Sequence, residues 1–293
     1  MPDVNAGRRV TFLDVRDEFA RPWSSYRQMN NLEAKEGDTM TIREDVPPGA
    51  PCWVDLMSSD IDKSIEFYGS LFGWTAESTG PDFGGYVNFS LRGEMVAGLM
   101  QAQPGGMPDV WSVYLTVPDA AAAVGATKEN GGEVHVDAMP VGDLGVMAMV
   151  GDPTGAAIGM WQPGQHRGGV VATSGAPCHW ELHTRDYDTA LRFYEKVFGW
   201  ANVDRSNESP DFRYAVLSVG DGENAGVMDA SAFLPEGVPS HWSVYFAVDD
   251  VDSTLAEVER LGGKTVMPAE TTPYGRLAVA SDATGATFKL RAD

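Results

Sequence analysis

Cysteine is nearly absent from this sequence. Only Cys52 and Cys178 occur in 293 residues. That excludes a disulfide framework, and two lone thiols fit a reducing compartment. Basic residues are scarce as well: 21 Lys and Arg stand against 42 Asp and Glu, for a formal charge of −21. Nucleic acid is therefore not an expected partner, because its phosphates demand a basic surface. Anionic membrane surfaces are disfavoured for the same reason, and the self-repulsion of the acidic surface aids solubility. Long apolar runs are missing. No segment approaches about 18 uncharged apolar residues, so no membrane span is expected. The start lacks a basic region followed by an apolar one, so no signal peptide is read. What is left is a cytoplasmic protein. With 43% hydrophobic and 10% aromatic residues it has the composition of a chain with real cores.

Present instead is an internal duplication. "CWVDLMSSDIDKSIEFYGSLFGW" from Cys52 and "CHWELHTRDYDTALRFYEKVFGW" from Cys178 align at an offset of 126 residues. "WSVYLTV" from Trp111 and "WSVYFAV" from Trp242 follow at 131, as do Gly131-Gly132 and Gly262-Gly263. "DPTGAAIGMW" from Asp152 matches "DATGATFKLR" from Asp282 at 130. The drift is loop insertion. The repeats place one domain at 49–165 and another at 174–293, with the Gly-rich residues 166–173 as linker and 1–48 as an extension. Within that extension a short helix is expected near "FLDVRDEFARPW", and Met40 stands as an alternative start.

Each domain repeats internally. A short strand leads into a helix with Asp60 at its N-cap, Ile61, Ile65, Tyr68 and Phe72 at helical spacing, and Gly73 as C-cap. Asp119 and Asp250 open the later helices, and short alternating runs follow each helix. The pattern is βαβββ, four times, an α+β architecture. These paired units, with "SIEFYGSLFGW" after the first strand and "DPTG" before the last, resemble the vicinal-oxygen-chelate superfamily. That superfamily includes glyoxalase I, extradiol dioxygenases, fosfomycin-resistance enzymes and bleomycin-binding proteins. The tandem arrangement is most similar to two-domain, glyoxalase-like proteins of actinobacteria that are often labelled hydroxylases. The resemblance implies a curled, cup-like mixed sheet in each domain, with helices outside and a ligand within. It does not choose among the superfamily's chemistries.

A strand alternates faces with period two. The helix must cover an apolar face, so Val54 and Leu56 belong beneath it, and Trp53, Asp55 and Met57 look into the first cup. The same rule turns Ser112, Tyr114 and Trp161 inward there. In the second cup it selects His179, Glu181, His183, Ser243, Tyr245 and Lys289. Cys178 should face away from His179, which argues against a Cys-His nucleophile. "GDPTG" and "SDATG" read as turns, and His135, His166 and His241 lack a clear constellation.

The resemblance implies metal ligands on the first strand of each unit and a glutamate on the closing strand. Those stations hold Trp53, Ser112 and Gly159 in one domain and His179, Ser243 and Lys289 in the other. One histidine cannot hold a divalent ion, and a lysine would repel one. No cofactor is therefore expected. The alternative is a zinc or iron site on the His179–Glu181–His183 row. Glyoxalase I chemistry needs a Lewis acid and a proton-moving carboxylate, and the first cup offers neither in the implied places. The leading expectation is a protein with degenerate metal sites that binds a small organic metabolite or drug-like molecule, as a monomer or homodimer. The alternative is an isomerase, lyase or hydroxylase in which His179, oriented by Glu181, is the base and Lys289 holds an anion. A plain Glu181–Lys289 ion pair would explain the same residues without chemistry.

Overall fold

A computed structural model describes residues 40–43, 45–103, 108–201, 203–205, 212–218 and 223–293. The helix expected near 12–23 lies outside the described residues. The elements run β1 (Thr41–Ile42), β2 (Pro51–Ser58), α1 (Ile61–Phe72), β3 (Thr75–Ser78), β4 (Val87–Leu91), β5 (Glu94–Gln101), β6 (Val110–Thr116), α2 (Ala120–Glu129), β7 (Glu133–Val141), β8 (Gly145–Gly151) and β9 (Ala157–Pro163). They continue as β10 (Val170–Val171), β11 (Pro177–Thr184), α3 (Tyr187–Phe198), β12 (Val203–Asp204), β13 (Tyr214–Ser218), β14 (Glu223–Asp229), β15 (His241–Ala247), α4 (Val251–Arg260), β16 (Lys264–Thr272), β17 (Gly275–Ser281) and β18 (Thr287–Ala292).

The two halves build the same mixed sheet. One has the order β3-β4-β5-β2-β6-β9-β8-β7 and the other β12-β13-β14-β11-β15-β18-β17-β16. Each is an eight-stranded sheet with two open edges among the described residues, so neither is a closed barrel. The first strands of the two βαβββ units, β2 and β6, lie side by side and antiparallel at the centre. The fold is α+β with tandem cup-like sheets. Among the described residues no helix is long and apolar enough to cross a membrane.

Local chemistry explains the helices. Asp60 accepts from the Lys63 amide, and Gly73 ends α1 in the left-handed region at φ 71°. Asp119, Asp186 and Asp250 cap the other three helices in the same way. The faces of the strands separate as period two requires. Val54, Leu56, Val113, Leu115, Ile158 and Met160 join one large core, while Trp53, Tyr114 and Trp161 form a separate small cluster.

That large core is shared by both halves, because their helix-bearing faces are packed together. Phe67 and Phe72 of α1 meet Phe288 and Phe246 of the second sheet. Trp74 donates to the Gly175 carbonyl at 2.8 Å, and its repeat partner Trp200 donates to the Gly49 carbonyl at 2.8 Å. The two aspartate turns gain a purpose here. Trp111 donates to the Tyr68 hydroxyl at 2.9 Å, and Tyr68 donates to Asp282 across the interface at 2.9 Å. The reciprocal relay runs from Trp242 to Tyr194 at 2.8 Å and on to Asp152 at 3.1 Å. The cups consequently open away from each other.

Residues 166–173 do more than connect. Val170 and Val171 pair with Thr41 and Ile42 as a two-stranded strap, and His166 stands edge-on to Trp53 at 4.5 Å and to Trp161 at 5.5 Å.

Candidate functional site

Both cups are organised around a buried carboxylate on the central strand. In the first cup it is Asp55, 3% exposed, and in the second Glu181, 7% exposed. Their surroundings correspond by register. Asp55 faces Ser112 on one side and Gly98 on the other, and Glu181 faces Ser243 and Gly226. Each glycine makes room for a tyrosine. A Cβ on Gly98 would lie 1.6 Å from the Tyr86 hydroxyl, and one on Gly226 would lie 1.9 Å from the Tyr214 hydroxyl. Gly98→Ala and Gly226→Ala are therefore expected to expel these rings and to cost about 1–3 kcal/mol each. Denaturant unfolding checks this, and a change under a few tenths of a kcal/mol would contradict the packing.

In the second cup every charge finds a partner. Glu181 accepts from Tyr214 at 2.9 Å, from Tyr245 at 2.9 Å and from the Lys289 ammonium at 2.7 Å. Lys289 also lies 3.0 Å from the Tyr245 hydroxyl, 2.6 Å from His183 Nε2 and 4.6 Å from the centre of the Tyr245 ring. Burial alone would raise the Glu181 carboxyl; Lys289 and the neighbouring histidines override it and hold the group well below the usual carboxylate range. Burial, then the ammonium, push His183 down to about 4, so its ring is neutral and its Nε2 lone pair accepts from Lys289. His241 stacks on His183 with ring centres 5.2 Å apart.

Tyr214 stands between Glu181 and His179 and bonds both. Two residues apart on one strand face, the side chains stand about 6.5–7 Å apart, and it is Tyr214 that reaches His179 Nε2, at 3.1 Å. Because Tyr214 donates to Glu181, it accepts from His179. The Lys289 ammonium is held by Glu181 at 2.7 Å. The Cys-His geometry also differs from the simple alternation. β2 and β11 each carry a bulge at the cysteine, and Cys52 packs with Trp53 on the cup side. Burial pushes both thiols up to about 12, which leaves them poor nucleophiles.

The first cup is softer and less satisfied. Trp53 donates to the Tyr86 hydroxyl at 3.0 Å, and Trp161 donates to the His166 carbonyl at 2.8 Å. Tyr114 covers Gly159, where an added Cβ would fall 2.2 Å from its ring. Ser112 and Tyr86, beside Asp55, are half-buried, as are Met147 and Met149, which pack against the cluster of Trp53, Tyr114 and Trp161 and give it an apolar, adaptable margin. Burial raises Asp55 to about 6, against the opposing pull of the Tyr114, Ser112 and Tyr86 hydroxyls. None of them reaches Oδ1 in hydrogen-bonding geometry. Beside the strap, a groove of about 620 Å³ is lined by Ile42, Arg43, Met95, His166 and Gly169 among others.

Sequence reading missed Tyr86, which sits just before β4, and Tyr214, the first residue of β13. A signal was present: "PDFGGY" from Pro81 and "PDFRY" from Pro210 occur at matching places in the repeat. His166 and His241 were missed because their partners come from other strands.

The chain matches the Glyoxalase/Bleomycin resistance protein/Dioxygenase superfamily over residues 52–160 and 178–290. CFP32 of Mycobacterium bovis, provisionally named a glyoxylase, is 40% identical over 86% of this chain and 97% of its own length. The anthracycline biosynthesis protein DnrV of Streptomyces peucetius is 37% identical over 83% of this chain and 93% of its own. Among solved structures, the Mn(II)-bound glyoxalase from Novosphingobium aromaticivorans superposes with a TM-score of 0.57 at 14% identity, covering 85% of this chain and 82% of that one. That likeness is one of fold.

A divalent ion of the kind this fold carries elsewhere does not fit the donors present. Among the described residues no group of three or more His, Cys, Asp or Glu side chains is gathered to hold a metal ion. In the second cup an ammonium group already neutralises the carboxylate, at 2.7 Å.

Proposed function

This chain belongs to the Glyoxalase/Bleomycin resistance protein/Dioxygenase superfamily, and from that premise we infer that it binds a small organic molecule in the first cup without a divalent metal. The observation that carries this reading is the lining of that cup. Trp53, Ser112 and Gly159 hold the stations where the resemblance implies metal ligands, Met57 is half-buried, and half-buried Met147 and Met149 pack against the cluster of Trp53, Tyr114 and Trp161. Flat aromatic faces beside thioether side chains suit a planar, largely apolar ligand. The name of DnrV attaches that relative to anthracyclines, which are polycyclic aromatics, and this supports an aromatic ligand class here. Catalysis through His179 and Glu181 is less well supported, because the Glu181 oxygens are engaged by Tyr214, Tyr245 and Lys289.

The test uses 2-(hydroxymethyl)anthraquinone, a neutral planar probe, with untagged protein dialysed against a chelator. Micromolar binding by calorimetry is expected, with a tenfold loss in Trp53→Ala or, should that variant unfold, in Met147→Ala. Binding that appears only after a divalent ion is restored would overturn the metal-free reading. No binding at millimolar probe would overturn the ligand class.

A further inference from the structure

The duplication supplies its own template for what the first cup lacks. Tyr245 pairs with Lys289 on the closing strand of the second sheet, and Tyr114 pairs with Gly159 at the same register in the first. Otherwise the two sets correspond: a buried carboxylate, a serine opposite it, one tyrosine on the neighbouring strand, and a second tyrosine laid over a glycine. In the second cup the carboxylate is neutralised by an ammonium that also rests against a tyrosine ring. In the first, the groups that act on Asp55 are its own burial and three hydroxyls, with no cation among them. Its Oδ1 is buried and has no hydrogen-bond partner among the described residues.

A buried carboxylate oxygen without a donor is costly, and pairing it with a hydrogen-bonding cation relieves that cost. Aromatic faces around such a group favour organic cations further. The charge of −21 raises the local concentration of cations at every opening of the protein.

We propose that the first cup recognises an organic ammonium ion on an aromatic body, with Asp55 as its counter-ion and Tyr86 and Tyr114 around the charge, as Glu181, Tyr214 and Tyr245 surround Lys289. The inference rests on the first cup being the ligand site. Tyr114 lies across Gly159 and closes the route that the lysine stem takes in the second cup. The ligand therefore enters on the half-buried side, past Met57, Ser112 and Met147, and its aromatic part stays among the methionines.

Protonation of Asp55 removes the counter-ion, so ammonium binding weakens as pH falls through about 6. The groups around it do not compete in that window. Burial keeps Tyr86 and Tyr114 well above their ordinary value and Cys52 near 12, and it lowers His166, which sits against Trp53, to about 4.

The experiment compares 2-(aminomethyl)anthraquinone with its neutral hydroxymethyl counterpart by calorimetry on the full chain. At pH 7.5 the amine is expected to bind at least thirtyfold tighter. That preference should fall below threefold in Asp55→Asn, and also in the wild type at pH 5. Retained binding of the neutral probe shows that Asp55→Asn is folded. Equal affinity for the two probes at pH 7.5 would overturn the ammonium assignment while leaving the aromatic-ligand reading intact. So would a preference that survives in Asp55→Asn, since it would then arise from the overall charge. Loss of both probes in the wild type would remove the ligand reading itself, and this proposal with it.

Discussion

Lys289→Met is expected to destabilise the protein by about 3–5 kcal/mol near pH 8, the usual cost of stranding one member of a buried ion pair. Lys289 is 12% exposed and Glu181 9% exposed at their side chains, so water compensates little. The lysine also separates two lone pairs. Glu181 Oε1 and His183 Nε2 lie 2.6 Å apart, and with His183 neutral the protons between them come from the ammonium. Removing it leaves two acceptors face to face. His183 is expected to respond by taking up a proton and replacing the lost cation. Its pKa would then rise above the unfolded value, and that contribution is complete at low pH and lost as pH climbs through the raised value. The deficit of the variant relative to wild type should therefore be smaller at pH 5.5 than at pH 8.

The wild type behaves in the opposite sense. His183 and His166, both held near 4 by burial, stay neutral in the folded protein while the unfolded chain protonates. Stability contributed by these two groups falls as pH drops below their ordinary value. The depressed carboxyl of Glu181 contributes fully above the usual carboxylate range, and that contribution is lost progressively as the pH falls from that range toward its depressed value. In the double variant Glu181→Gln/Lys289→Met both charges are gone, and much of the loss should be recovered. Guanidinium unfolding at the two pH values reads all of this. A single-variant deficit under 1 kcal/mol, identical at both pH values, would mean that the ion pair does not hold the second cup together.

Trp74→Ala is expected to cost about 3–5 kcal/mol, the range for deleting a large buried aromatic. The indole is 5% exposed. It stacks on Tyr68 at 5.4 Å, meets Trp111 and Phe89 of its own half, and meets Phe246 of the other half at 5.7 Å. It also satisfies the Gly175 carbonyl, which would be left buried and unpaired. Because the core is continuous across both halves, the loss should not be confined to the first. One cooperative transition at a lower denaturant midpoint is expected, followed in parallel by tryptophan fluorescence and by amide exchange in β15 and β18. Two separated transitions, with the second half unmoved, would show that the halves are energetically independent.

Much of this was readable from the residues alone. Alternation along "CWVDLM" and "CHWELH" sorted Val54 and Leu56 from Trp53 and Asp55, because a strand turns every second side chain to the same face whatever its neighbours are. Aspartates before each helix and glycines after two of them marked the ends, since capping is a matter of nearby backbone. Duplication was visible for the simplest reason: two copies of one fold need the same local signals. That Lys289 could pair with Glu181 was readable from the alternation of faces; that the pair forms was not. Lys289 lies 108 residues away and Tyr245 lies 64 away, and only the curl of the sheet decides that they, and not His179, reach the carboxylate. Tyr86 escaped because it precedes its strand, where alternation says nothing about direction.

By itself, then, the sequence determined the α+β repeat, the capped helices and the composition of each strand face, all of which follow from short-range geometry and composition. Tertiary structure alone decided that the helix faces of the two halves merge into one core through Tyr68, Asp282, Tyr194 and Asp152. It alone also decided that one cup neutralises its carboxylate with a lysine while the other leaves Oδ1 of Asp55 without a donor among the described residues. Such outcomes depend on which groups meet after the sheets close, and burial sets the cost of every group that meets no partner.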